Sequence, residues 1–200
     1  KFMCSPQGGM RYSKRTESLV LVSNHVKSLY DDRWIENVLH YTGMGTIGDQ
    51  SLAFMQNKTL YLSNENGVAV YLFEVFQEKR YTYTGRVHLS AQPYQEIQED
   101  VEGRERKVWI FPLKLLNAAP PVKAAILEQL AQHKAKQAKK LSVAELRKRV
   151  QSAPKIPGSQ RTKTVAFQRN PYVCELAQRR ANGVCQLCQQ PAPFSRKDHS

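Results

Sequence analysis

Pro120-Pro121 divides the sequence into two stretches with different physical habits. Before it, apolar residues come in short runs bounded by turn residues, the pattern of strands. After it, Ala, Gln, Lys and Leu dominate, all good helix formers. The chain is therefore expected to be α+β, with a β-rich part followed by helices. Expected strands are Ser18–Ser23, Val68–Phe76, Arg80–Leu89 and Lys107–Leu116, with Glu96–Arg106 a charged loop around Gly103. Leu52–Ser63 is the one good helix candidate in this part. Sequential strands joined by turn signals predict an antiparallel sheet curled into a barrel or sandwich.

Beyond Pro121, Val122–Lys140 is predicted helical. Ser142-Val-Ala-Glu145 has capping-box spacing and opens a second helix, about Val143–Gln151. Ala153–Ser159, with two Pro and a Gly, reads as a flexible connection. Lys163–Phe167 has the composition of a short strand. Asn170-Pro171 is a helix start and Gly183 its end. These breaks suggest three segments: 1–118, 119–162 and 163–200.

Net charge is +13, and it is unevenly placed. Residues 1–120 hold 14 Lys+Arg against 13 Asp+Glu; residues 121–170 hold 12 against 2. A basic run of this kind suits the phosphates of nucleic acid, with a solvated helical linker as the plainer account. Lys139, Lys140, Arg147 and Lys148 are its candidate phosphate contacts. No apolar stretch is long enough for a membrane span and no signal peptide precedes the strands, so a cytoplasmic protein is expected. Four cysteines without a secretory signal argue against a disulfide framework. The chain opens on Lys1 rather than Met, which points to a start upstream.

An ordered series of short motifs runs through residues 24–89: Tyr30-Asp-Asp32, Tyr41-Thr-Gly-Met-Gly45, Gly48-Asp-Gln-Ser-Leu52, Asn57-Lys-Thr-Leu60, and Tyr81-Thr-Tyr-Thr-Gly85. The region resembles the SRA domain, the reader of modified cytosine in eukaryotic methylation proteins and bacterial restriction enzymes. Thr84 stands where that family's YDG signature has Asp. The resemblance implies an SRA/PUA-like curled β-barrel with flanking helices. It also implies that one cytosine is extruded from the duplex into a pocket. By position, Tyr30 and Tyr41 match the two stacking tyrosines and Asp32 the acid that accepts from the exocyclic amine. The stretch between the tyrosines is one residue short, which leaves Asp31 as an alternative. Thr42 matches a residue beside the base. Asn57-Lys58 matches the loop that enters the duplex. The chemistry is sound on its own terms, because a carboxylate is the natural acceptor for cytosine N4 and an aromatic face stacks on any base.

Cys185-x-x-Cys188 after a helix is half of a zinc site, since tetrahedral zinc needs four ligands. His199 is an imaginable third ligand. The stretch Asn170–Phe194 resembles the opening of bacterial HNH endonuclease domains. The resemblance implies structural Zn2+ here and a catalytic divalent ion such as Mg2+ in a ββα-metal unit beyond Ser200. The catalytic His-Asn-His has no counterpart in these 200 residues, so this chain is expected to bind DNA rather than cut it. Reader, basic linker and HNH opening together point to a modification-dependent restriction endonuclease acting on double-stranded DNA with modified cytosine, with a homodimer possible. The rival readings are a non-enzymatic methylcytosine reader with a zinc module and a PUA-like RNA-binding protein.

Overall fold

Leu19, Leu21, Leu39, Leu72, Phe111 and Leu113 lose all contact with solvent, and the strands that carry them form one sheet. This arrangement comes from a computed structural model that describes residues 4, 8–27, 29–117, 122–153, 157–161, 165–167, 169–185 and 188–191. The strands are β1 (Met10–Ser13), β2 (Ser18–Asn24), β3 (Arg33–Ile35), β4 (Val38–Thr42), β5 (Ala69–Gln77), β6 (Arg80–Leu89), β7 (Tyr94–Glu99), β8 (Glu105–Leu115), β9 (Ser159–Arg161) and β10 (Val165–Phe167). The helices are α1 (Met55–Tyr61), α2 (Ala124–Lys139), α3 (Val143–Gln151) and α4 (Pro171–Ala181).

The sheet corrects the expected antiparallel barrel in two ways. It is open, running β1-β2-β5-β6-β8-β4-β3-β9-β10 with β7 on β8. It is also mixed, because β2 and β5 pair in parallel from Ser18↔Ala69 to Asn24↔Val75. The chain spends β3, β4 and α1 between them, a connection long enough to return in the same direction. Leu19-Val-Leu21 is buried as a continuous run, as strands covered on both faces are.

The charged stretch Glu96–Arg106 is not a loop, as its charge suggested. It forms β7, the turn and the start of β8, paired from Tyr94↔Ile110 to Glu99↔Glu105. The turn closes on Asp100, whose carboxylate accepts the N–H groups of Glu102 (2.8 Å) and Arg104 (3.0 Å). These N–H bonds hold the Asp100 carboxyl down to about 2. Eleven-residue β8 takes β4 on one edge and β6 then β7 on the other.

The C-terminal helices follow their sequence signals closely. Ser142 Oγ accepts the Glu145 N–H while Glu145 Oε2 accepts the Ser142 N–H, the complete capping box. Asn170 caps α4 by accepting the Tyr172 and Val173 N–H groups, and Asn182 ends it in the left-handed conformation one residue before Gly183. Ala138, Leu146 and Leu176 make a second small core between α2, α3 and α4. Arg179 ties it by donating to the carbonyls of Lys139 (2.9 Å) and Leu141 (2.8 Å) at the end of α2.

The basic segment packs back onto the sheet. Trp34 of β3 pairs with Ser159 of β9. Lys148 donates to the Gly103 carbonyl at 2.7 Å and lies 3.5 Å from Glu99. The expected strand Lys163–Phe167 appears as β10, Val165–Phe167, with residues 162–164 outside the described set. No helix among the described residues is long and apolar enough to cross a membrane.

Candidate functional site

A cavity of about 500 Å³ opens between the start of β1, the end of β4 and the loop that leads into α1. Tyr30, Tyr41, Thr42 and Gly43 line it, with Gly8 and Gly9 on one side and Ile47, Phe54 and Met55 at its mouth. The volume lies in the range of roughly 300–1,000 Å³ typical of small-molecule pockets.

Two buried side chains, Asn57 and Gln50, hold the wall in place. Asn57 lies in α1, fully buried, and holds the loop after β4 with three bonds. Its Oδ1 accepts the Met44 N–H at 2.8 Å, and its Nδ2 donates to the carbonyls of Met44 and Ser51 at 3.0 Å each. Gln50 clamps the same loop from the other side, donating to the Gly43 carbonyl at 2.6 Å and accepting the Trp109 N–H at 2.9 Å. A side chain at Gly43 would meet both clamps: its Cβ would lie 2.9 Å from Asn57 Oδ1, 2.9 Å from Gln50 Oε1 and 3.1 Å from Phe111. Glycine is required there by close approach.

These contacts correct the expected role of Asn57. It is in a helix rather than a loop, and its amide is spent inside the protein, so it is unavailable to enter a duplex. Lys58, one residue on, is exposed on α1. The segment at the cavity mouth is instead apolar: Ile47 is 58% exposed, Phe54 43% and Met55 63%.

Tyr30 and Tyr41 both line the cavity. Tyr30 donates to the Gly45 carbonyl at 3.1 Å, and the Arg106 guanidinium lies 6.0 Å from its ring centre. Tyr41 is buried and donates to the Gly9 carbonyl at 3.0 Å. Burial pushes both phenols up, Tyr41 well above the ordinary range. Asp32 stands behind Thr42 rather than in the wall. Its Oδ1 accepts the Thr42 N–H at 2.8 Å. Burial raises the Asp32 carboxyl to about 6, and this outweighs the opposing Thr42 N–H. Asp31 is exposed and faces Arg33 at 3.9 Å, so of the two acids it is Asp32 that adjoins Thr42.

Sequence reasoning missed Arg106 and Gln98. They face each other across β7 and β8, and both are buried. Gln98 donates to Thr42 Oγ1 at 3.3 Å, and Arg106 donates to the Gly45 carbonyl at 2.5 Å. Arg106 Nε and Nη2 and Gln98 Oε1 have no partner among the described residues. Their charge had placed them in an expected loop; only the β7–β8 register turns them inward. A second buried network also lacked a clear signal. Glu74 accepts from His25, Trp34 and Thr84 at 2.9 Å each, which holds its carboxyl below the usual range despite burial. Thr84 thus serves this network from its place in the Tyr81–Gly85 motif.

Among the basic candidates, Lys139, Lys140 and Arg147 are exposed at the junction of α2 and α3. The Lys148 ammonium is already engaged by Glu99 and Gly103, which corrects its reading as a free phosphate contact. Cys185 and Cys188 are both exposed on one tight turn, where the Cys185 N–H meets the Gln190 carbonyl and its own carbonyl accepts from Gln189. A tetrahedral zinc shell takes four ligands, and this pair supplies two cysteines. No group of three or more potential ligands occurs among the described residues, and His199 lies outside them.

No curated protein matches this chain. Among solved structures, the SRA domain of SUVH5 in complex with methylated CHH DNA shares 26% identity over 58% of this chain and 78% of that one, at a TM-score of 0.43. The structure of ScoMcrA, a Type IV phosphorothioation-dependent restriction endonuclease, aligns with 98% of this chain at 16% identity and a TM-score of 0.50. Its sulfur-binding and SRA domains in complex with phosphorothioated DNA align at 18% identity over 64% of this chain and 40% of that one, with a TM-score of 0.49. This chain covers 48% of the ScoMcrA structure, about half its length. Residues 2–135 match the family model of the ScoMcrA-like SRA domain, and the chain belongs to that family.

Proposed function

We propose that this chain binds duplex DNA carrying a modified cytosine and takes the turned-out base into the cavity between Tyr30 and Tyr41. The observation that carries the reading is the meeting of these two tyrosines with Thr42 at one cavity, with Asp32 bonded directly behind Thr42, in an SRA-domain protein. Each tyrosine face that stacks on the base contributes roughly 1–3 kcal/mol, which offsets the few kcal/mol needed to unstack it. Asp32, when ionised, accepts from the N4 amine of cytosine. Thymine offers a carbonyl at that position, so acid and base then face each other as two acceptors.

In this reading residues 1–118 are the reader, 119–162 add sequence-independent affinity through Lys139, Lys140 and Arg147, and 163–200 lead into an HNH nuclease. Zn2+ on Cys185 and Cys188 belongs to that last part, as does the cleavage of DNA. ScoMcrA, a restriction endonuclease of similar fold, supports the restriction role by analogy.

The test is a binding titration at fixed salt with duplexes that differ only in 5-methylation or 5-hydroxymethylation of one cytosine. A preference for the modified duplex, abolished by Tyr41→Ala while weak non-specific binding persists, is the expected result. Equal affinity for all duplexes overturns the reading. ScoMcrA's dependence on phosphorothioation motivates one further arm, the unmodified duplex with a phosphorothioate linkage. A preference for that duplex alone moves the recognised group from the base to the backbone.

A further inference from the structure

The β5–β6 hairpin carries a second feature that base capture in the cavity does not use. Tyr81 is 54% exposed and Tyr83 48% exposed. A bulge between Leu72 and Phe73 shifts the register, so that Phe73 lies opposite Tyr83 and Tyr71 opposite Arg86, all on one face. The rings of Phe73 and Tyr83 are 5.2 Å apart and those of Tyr71 and Tyr83 6.5 Å apart. Arginines stack on this strip from both sides. Arg86 lies 5.7 Å from the Tyr71 ring centre and Arg11 lies 5.6 Å from that of Tyr81. Lys14 and Arg15 are exposed in the β1–β2 turn, Lys79 in the β5–β6 turn and Arg80 at the start of β6. Nearby Glu78 is already paired with Lys27 at 2.8 Å.

We propose that this aromatic and arginine strip binds single-stranded DNA. Exposed rings stack on bases that are themselves unstacked, which a duplex does not offer, and flanking cations follow the backbone. Arg11 links the strip to one residue of the cavity lining. Arg11, which covers Tyr81, also donates to the carbonyl of Gly8 at 2.8 Å, and Gly8 lines the cavity. Over the seven residues from Arg80 to Arg86 the strip is about 20 Å long, room for a few nucleotides. It therefore offers a place for strand separated from its partner beside a disrupted site, independent of which modified base the cavity takes.

The test uses the whole chain, a labelled single-stranded oligodeoxynucleotide without modified cytosine, and fluorescence anisotropy at fixed low salt. Wild type is expected to bind it, and Tyr81→Ala/Tyr83→Ala to weaken it by about 10-fold or more, since each lost stack costs roughly 5- to 100-fold. The conservative pair Tyr81→Phe/Tyr83→Phe keeps the rings and is expected to bind as wild type. Modified-duplex binding, measured in parallel, is expected to survive in both variants, which separates this proposal from the reading of the cavity. No binding of single strand by wild type overturns the proposal, as does equal binding by the alanine pair. Tighter binding of RNA of the same sequence overturns the assignment to DNA. Self-association of wild type that the alanine pair abolishes assigns the strip to a second copy of the chain and also overturns it.

Discussion

Replacing Asp32 by Asn separates what this acid does for the fold from what it does in the proposed capture of a base. Asp32 carries a carboxyl raised from 3.8 to about 6 because burial disfavours its charge. The native state therefore binds this proton more tightly than the unfolded chain does. As pH rises from about 4 through 6, the wild type loses stability, and the cost at neutral pH approaches roughly 3 kcal/mol for about two units of displacement. Asparagine keeps the oxygen that accepts the Thr42 N–H and never ionises. Asp32→Asn is expected to be more stable than wild type at about pH 7.5 by up to ~3 kcal/mol, a gain that vanishes below about pH 4. Urea unfolding followed by Trp34 and Trp109 fluorescence reads this directly. Binding moves the other way. The amide presents a donor to cytosine N4 where the carboxylate presents an acceptor, so preference for the modified duplex falls by about 5- to 150-fold, or roughly 1–3 kcal/mol. Wild-type binding weakens as pH falls through about 6, and the variant has no such step. Loss of more than about 1 kcal/mol of stability in the variant at neutral pH refutes the account of burial. Full retention of base preference refutes the account of recognition.

Other perturbations test the scaffold around the site. Gly43→Ala drives a methyl group into Asn57, Gln50 and Phe111, and is expected to cost about 1–3 kcal/mol in denaturant unfolding and to weaken duplex binding with it. Asn57→Ala leaves the Met44 N–H and two carbonyls unpartnered, a loss of at least about 2 kcal/mol, so a near-neutral change in melting would contradict the clamp. Glu74, whose carboxyl is lowered, contributes stability above its ordinary value of 4.5 that is lost as pH falls below it. Glu74→Gln should therefore be destabilised at neutral pH, with the deficit shrinking in acid. Neutralising Lys139, Lys140 and Arg147 together should reduce the slope of log affinity against log salt by up to roughly 3, with little change in the preference for modified base.

The change from strands to helices between β8 and α2, the capping box of α3, the Asn-Pro start of α4 and the span of β6 were all readable in the sequence. Each rests on local physics: a hydroxyl within reach of an N–H three residues on, a ring that presets φ, side chains alternating along a strand. The tyrosines, Thr42 and Asp32 were readable as an ordered set of motifs. What the tertiary structure alone decided is how distant segments share edges. The parallel pairing of β2 with β5, and the strand made from the charged stretch 94–105, depend on contacts between segments far apart in the chain. Burial was likewise undecidable locally. Asn57 has the look of a surface residue beside Lys58, and Arg106 that of a loop cation. Both are turned inward because the loop after β4 leaves carbonyls and N–H groups that must find partners away from water. The sequence by itself determined which residues were chemically able to form the pocket, and the packing of the sheet decided which of them line the cavity and which hold its wall in place.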